Sequence, residues 1–186
     1  MIDYVTGDAT KPTATDGLRV IAHIVNDQHG WGSGFVVALS KRWPQPEAHY
    51  RAWGGLTLGE VQVVPVKDEH GRLYVANMAA QHKYVSEDNP VALDYGALVH
   101  CLTDLKKWID SLNTVKMGMD KTYLPNASIH MPRIGCGLAG GNWDVVEPII
   151  GAILGDYHRV IVYDLPKNKE RNEFDNFLKD VREKKI

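Results

Sequence analysis

Two glycine-rich segments are where this chain is equipped for chemistry: Gly30-Trp31-Gly32-Ser33-Gly34 and Gly135-Cys136-Gly137-Leu138-Ala139-Gly140-Gly141. Each follows a run that reads as a strand and precedes one that reads as a helix. Backbone N–H groups in such a turn converge on an anion, with the positive end of the helix dipole behind them. Glycine suits these positions because a side chain would block the ligand or forbid the dihedral angles. Two opposed nests fit a diphosphate better than a single phosphate. Neither loop contains Lys or Arg, so binding would rest on N–H groups and dipoles, with Arg133 the nearest cation. The dinucleotide fingerprint is not met, since its third glycine would fall on Phe35, and no Lys-Ser or Lys-Thr completes a P-loop. The competing reading is that both loops only tighten strand-to-helix corners.

Beside the first loop stand the residues that could move a proton. Asn26 can hold a hydroxyl or orient a water, and His23 is a candidate general acid or base. In one regular strand the two would point to opposite faces, so acting together requires the strand to twist or break at its end. A histidine in an apolar run is also commonly a core residue. Asp27, His29 and His82 are the alternatives for proton transfer, and Lys83 reads as solvated. Trp31 in a glycine loop reads as an exposed indole able to close over a ligand. Cys136 lacks the Arg spacing of a cysteine phosphatase, with Asn142 in that place, and reads as packing beneath its loop, although a helix N-terminus there would lower its thiol pKa. No Asp-x-Asp or His-Glu-x-x-His pattern occurs, and neither a metal nor a cofactor is expected.

The elements that must position these residues follow from hydrophobic period. Arg19 to Asn26 reads as a strand buried on both faces. Phe35, Val36, Leu39 and Trp43 mark a helix stopped by Pro44, and a second short helix covers Glu47 to Trp53. Glu60–Val66 and Leu73–Met78 form a hairpin around Asp68-Glu69-His70-Gly71. Asn89-Pro90 reads as the cap of a long helix through Val91, Tyr95, Leu98, Leu102, Leu105 and Ile109. Ser111 to Asn126 is a connection. Ser128–Met131 is a strand, Val145 to Leu154 a helix, His158–Tyr163 the last strand, and Phe174, Phe177, Leu178 and Val181 line a C-terminal helix whose basic end, Lys179 to Lys185, reads as solvated. This order predicts one domain over residues 1–186: an α/β, three-layer αβα sandwich with a mixed central sheet, its ligands beyond the carboxyl ends of the strands.

Composition narrows the partners. A chain of 186 residues with 21 Lys+Arg against 23 Asp+Glu and a net charge of -2 lacks the basic surface of a general nucleic-acid binder. No apolar run reaches the ~20 residues of a membrane span. Two cysteines and a start without a signal-peptide pattern lead us to expect a cytoplasmic protein. Seven of the 17 glycines fall in the two loops, so their enrichment is local.

Gly7-Asp8-Ala9-Thr10, Ile21 to Asn26, Gly30 to Phe35 and Met131-Pro132-Arg133-Ile134-Gly135-Cys136-Gly137-Leu138, in that order over nearly the whole chain, resemble a macro domain, closest to the ADP-ribose-1''-phosphate phosphatase branch. The resemblance implies that Asp8, with Ala9, receives the adenine. It implies that Asn26, Gly30, Trp31, Gly32, Ser33, Gly34 and Phe35 surround the distal ribose and one phosphate. Arg133, Ile134, Gly135, Cys136, Gly137, Leu138 and Ala139 then hold the diphosphate from the other side. It also supplies a histidine at the place of His23. The partner it implies is ADP-ribose or a phosphorylated derivative, free or on a modified macromolecule, and the activity either hydrolysis of the 1''-phosphate, removal of ADP-ribose, or binding alone. Against the branch that works through a lysine adduct, Ala139 stands where that branch has Asp, and its lysine falls near Ala80 and Gln81. Other hydrolase branches carry Asn-Ala-Ala-Asn where this chain has His23 to Asn26.

Overall fold

A computed structural model describes residues 2–12, 17–115, 127–156 and 158–166. The elements are β1 (Ile2–Thr6), β2 (Arg19–Asn26), α1 (Phe35–Ser40), α2 (Gln45–Arg51), β3 (Val61–Asp68), β4 (Gly71–Gln81), α3 (Tyr95–Val115), β5 (Ser128–Met131), α4 (Trp143–Leu154) and β6 (Arg159–Asp164). The sheet runs β1-β6-β5-β2-β4-β3, parallel throughout except for β3, which pairs antiparallel with β4. All five parallel strands therefore end on the same edge, where both glycine loops leave it.

Alternation along β2 divides the core in two. Val20 and Ala22 face Leu98, Leu102, Leu105 and Ile109 of α3 and Val146, Ile150 and Leu154 of α4, all buried. Ile21 and Val25 face Leu39, Trp43 and Tyr50 of the α1–α2 layer. Burial on both faces is why the strand lacks a polar alternation, and three layers follow from it.

Three expectations need correction or extension. The long helix begins at Tyr95 instead of Asn89-Pro90, with the Asp94 carboxylate accepting from Ala97 N–H. Its expected first turn is extended because Ala92 and Leu93 donate their N–H groups to the Ala139 carbonyl, and Leu93 bridges Gln81. Asn89 instead donates to the His82 and Tyr84 carbonyls, tying down a loop. The edge strand β1 escaped the sequence reading because its five residues show no strong apolar period. The expected C-terminal helix, with its basic end, lies outside the described residues, as does most of the Ser111–Asn126 connection. Among the described residues, no helix is long and apolar enough to cross a membrane.

Buried polar side chains punctuate this core. Arg19 is fully buried at the start of β2 and pairs with Asp68 at the end of β3. Burial pushes the Asp68 carboxyl upward, but the bond and charge of Arg19 and the His70 N–H outweigh it and hold it below its ordinary value. His130 lies between the Tyr163 hydroxyl at 2.8 Å and the Ser128 hydroxyl at 3.0 Å. Burial, with the charges of Arg19 and Arg159, pushes its pKa down to about 4. Burial likewise brings His23 to about 4, against its bond to Asn77, which only partly offsets it.

Acid lability follows. Unfolded histidines titrate near ~6.5, so between there and about 4 the unfolded chain holds about two more protons than the folded one through His23 and His130. Stability should fall as the pH drops through that window, then fall further as Asp68 is protonated. Urea unfolding at pH 7, 6 and 5 checks this; equal unfolding free energies at pH 7 and 5 would contradict it. Asp68→Ala, which strands the Arg19 charge, should cost about 3–5 kcal/mol at pH 7, read as a lower urea midpoint.

Candidate functional site

The first loop is shaped by one amide. Asn26 Oδ1 accepts from the N–H groups of Gln28 at 2.9 Å and Gly30 at 3.0 Å, while Nδ2 donates to the Gly30 carbonyl at 2.9 Å. The Tyr50 hydroxyl lies 2.5 Å from the Asn26 carbonyl and 2.9 Å from Oδ1, and burial pushes its pKa up, so it stays a donor. The register of β2 on β4 slips between Val25 and Asn26, where Asn26 pairs with Gln81. That break lets Asn26 reach Tyr50 on the face toward which His23 points, which a regular strand would forbid.

With residues 26–30 folded back on Asn26, the N–H groups of Gly32, Ser33, Gly34 and Phe35 have no acceptor among the described residues. Gly32, Ser33 and Gly34 are exposed. In the second loop the same holds for the N–H groups of Gly137, Leu138 and Ala139. The loops touch where a Cβ on Gly34 would stand 3.3 Å from Leu138 Cδ1, and the φ of 75° at Gly34 favours glycine. Two sets of free donors thus flank one strip of the sheet edge.

Not every loop glycine serves that strip. A Cβ on Gly30 would fall 1.8 Å from the Tyr84 hydroxyl, and one on Gly141 2.4 Å from Leu93 Cδ2. Gly135 is likewise closed by Leu93, and Gly140 by the Pro90 carbonyl. These four admit the 84–93 segment that crosses both loops. Gly32 and Gly137 have nothing within 4 Å and are the open ones. Both backbone polar groups of Gly30 are taken by Asn26, and its Cα lies under the Tyr84 hydroxyl. The Ala139 carbonyl is similarly used by Ala92 and Leu93.

The side chains named from the sequence are placed as follows. Asp8 Oδ1 accepts from the Thr10 N–H and hydroxyl, and the other carboxylate oxygen has no partner among the described residues. Ala9 is buried with Ile161 and Tyr163, and Phe35 packs against that cluster, joining the Asp8 turn to the first loop. His23 is buried, 2.7 Å from Asn77 Oδ1, with its ring against Trp31 and Phe35. Asn77 Nδ2 contacts the Pro46 carbonyl and Gln62 Oε1, both acceptors, so Asn77 Oδ1 must accept and His23 Nε2 carries the proton. Trp31 is no exposed lid: its side chain is buried on Tyr50 and its indole N–H donates to Ser40, which in turn donates to Glu47. An indole is large enough to fill the space beneath a loop whose glycines cannot.

Arg133 is not a free cation. It makes a two-point pair with Asp164 and lies over the Tyr4 and Trp143 rings. Ile134 is buried, and Cys136 is half-buried with its thiol directed to the Ile134 carbonyl. Asp27 links the first loop to the end of β4. It accepts from the Lys83 N–H at 2.8 Å, from Gln28, and contacts His82 Nδ1 at 2.6 Å. Partial burial pushes its carboxyl up, but these bonds outweigh it and hold it below the ordinary value. His29 rests on Tyr50, with Nδ1 3.1 Å from the Tyr50 carbonyl. The sequence reading missed Asn77, Tyr50 and Tyr84. A polar residue inside the apolar run of β4 was the available signal for Asn77, whereas the other two carry none.

No family model matches the chain. The macrodomain protein of Streptomyces coelicolor is similar in structure, with a TM-score of 0.67 and 41% identity over 88% of this chain and 99% of that one. Chromodomain-helicase-DNA-binding protein 1-like of Mus musculus is 30% identical over 184 residues, or 92% of this chain, but this chain spans only 18% of that protein's length. The ADP-ribose 1''-phosphate phosphatase of Saccharomyces cerevisiae is 24% identical over 176 residues, covering 83% of this chain and 94% of that one. Identity of 41% sustained across almost the full length of a macrodomain, on a mixed six-stranded sheet between helical layers, means that this chain belongs to the macrodomain family.

Proposed function

We propose that the strip between the two loops binds the diphosphate of ADP-ribose and that the protein hydrolyses the phosphomonoester at the 1'' position of the distal ribose. The observation that carries the binding reading is the pair of opposed, unpartnered N–H sets on Gly32 to Phe35 and Gly137 to Ala139. Amide donors fixed in this way hold an anion without basic side chains, which fits the absence of Lys and Arg from both loops. The similarity to a fungal ADP-ribose 1''-phosphate phosphatase over nearly its whole length supports the substrate.

In this reading Asp8 takes the adenine amino group on the carboxylate oxygen that Thr10 does not use, and Ala9 lies beneath the base. Ser33, Gly34 and Phe35 donate to one phosphate, and Ile134 to Ala139 enclose the other. Asn26 acts by holding the loop in its donor-presenting form, because its amide is already committed to Gln28, Gly30 and Tyr50. His23, buried and neutral at pH 7, supports Trp31 and Phe35 from below. That burial favours a second reading, an ADP-ribose-binding module without chemistry, since both sequence-named catalytic candidates are engaged elsewhere.

Two measurements separate the readings. ADP-ribose at one hundred times its Kd should stabilise the fold by about 2.7 kcal/mol, seen as a raised Tm, and Gly32→Val, whose Cβ meets nothing in the protein, should abolish that shift while leaving the Tm of the free protein nearly unchanged. No shift with the wild type would sink the binding reading. Release of inorganic phosphate from ADP-ribose-1''-phosphate is the expected result for an enzyme; tight binding without release would identify the binding module.

A further inference from the structure

The order of strands assigns a direction to the strip. Asp8 follows β1 at one side of the sheet, and β6, β5 and β2 intervene before β4, after which comes His82. Four strand spacings of ~4.8 Å put these two turns about 19 Å apart, with both glycine loops between them. A nucleotide whose base lies at Asp8 and whose diphosphate lies on the loops must therefore put its far sugar toward the end of β4. The segment after β4 closes that end: Tyr84 stands on Gly30, and Val85 Cγ2 lies 3.5 Å from where a Cβ on Gly140 would be.

His82 is held there by one nitrogen. Its Nδ1 is 2.6 Å from the Asp27 carboxylate and Nε2 has no partner among the described residues, while the backbone N–H of His82 donates to the Ala92 carbonyl. The side chain is 48% exposed. Two other histidines approach a carboxylate, His70 at Glu69 and His158 at Asp110, but both precede their strands or sit at the β3–β4 turn, on the opposite edge of the sheet. His29 is on the correct edge, yet its ring leans on Tyr50 in the α1–α2 layer and its Nδ1 meets a carbonyl, which orients the ring without stabilising an imidazolium as a carboxylate does. Among the described residues, the charged group in contact with the His82 ring is Asp27, from the end of β2.

We propose that His82 contacts the distal ribose substituent and donates the proton to its leaving oxygen, with Asp27 as the positioning residue that fixes the ring through Nδ1. The step rests on the phosphatase reading above. Water adds to phosphorus as the P–O1'' bond breaks. The bonding pair stays with O1'', which takes the Nε2 proton of the imidazolium to give the free hydroxyl, and the two protons of the water leave with the phosphate as the monobasic dihydrogen ion. Neutral His82 then regains a proton from solvent.

Kinetics and NMR test different parts of this. His82→Gln should lower kcat for phosphate release by about 10²–10⁴-fold with KM changed less than about threefold. Asp27→Asn keeps one acceptor oxygen for the Lys83 N–H but presents an amide N–H2 to His82 Nδ1 in place of the second carboxylate oxygen, so it should leave the Tm, the KM and the ADP-ribose Kd nearly unchanged and lower kcat. A purely structural Asp27 would lower the Tm and leave kcat at the wild-type value. Wild-type kcat in His82→Gln overturns the proton-donor role, and a wild type that releases no phosphate overturns the phosphatase reading along with it. The placement of His82 is read without turnover: saturating ADP-ribose should shift its ring resonances and saturating AMP, which lacks the distal ribose, should not. Resonances that ignore ADP-ribose, or move equally with AMP, overturn the placement.

Discussion

The functional edge of this protein depends on a single side-chain amide. Asn26 closes the turn that follows β2 by bonding the backbone of Gln28 and both polar groups of Gly30, and it does so under the hydroxyl of Tyr50. A loop folded back in this way spends its inner N–H groups on the protein and leaves the outer ones, from Gly32 to Phe35, without a partner among the described residues. Exposed backbone donors usually satisfy themselves with water, so a run of them beside a second run is a surface whose hydrogen bonds a ligand can take over at small cost.

Support for that turn comes from below and from the side. Tyr50 and Glu47 of α2, with Trp31 and Ser40, form a connected layer beneath it, and His23 fills the space between Trp31 and Phe35 while its proton goes to Asn77. From the side, Asp27 draws the end of β4 toward the loop, and the segment from Tyr84 to Leu93 then runs across to the second loop, where Ala139 holds Ala92 and Leu93. The two loops are thus fixed to each other through a third segment as well as through the sheet, which limits how far the strip between them can widen.

Buried polar groups fix how the layers of this fold sit against one another. Arg19 with Asp68, His130 between Tyr163 and Ser128, and His23 on Asn77 each carry a directional bond inside an apolar layer. An unpaired member of any such pair costs far more than the pair contributes, so these contacts determine where each strand sits against its neighbours.

Much of this was legible in the residues alone. The apolar run of β2 and the spacing of Leu98, Leu102, Leu105 and Ile109 identify buried elements, because period and burial are local properties of a chain; the glycine loops mark strand-to-helix turns for the same reason. What only the tertiary structure decided is which glycines are open and which are packed, that Trp31 points inward, that Arg133 belongs to Asp164, and that Asn89-Pro90 starts no helix. Each of those outcomes turns on a partner well separated in sequence: Tyr84 for Gly30, Leu93 for Gly141, Tyr50 beside Trp31, Asp164 for Arg133 and Ala139 for the segment before α3. Local pattern carries no information about such partners, since the competition for a hydrogen bond or a close contact is settled only when the sheet brings the competing groups together.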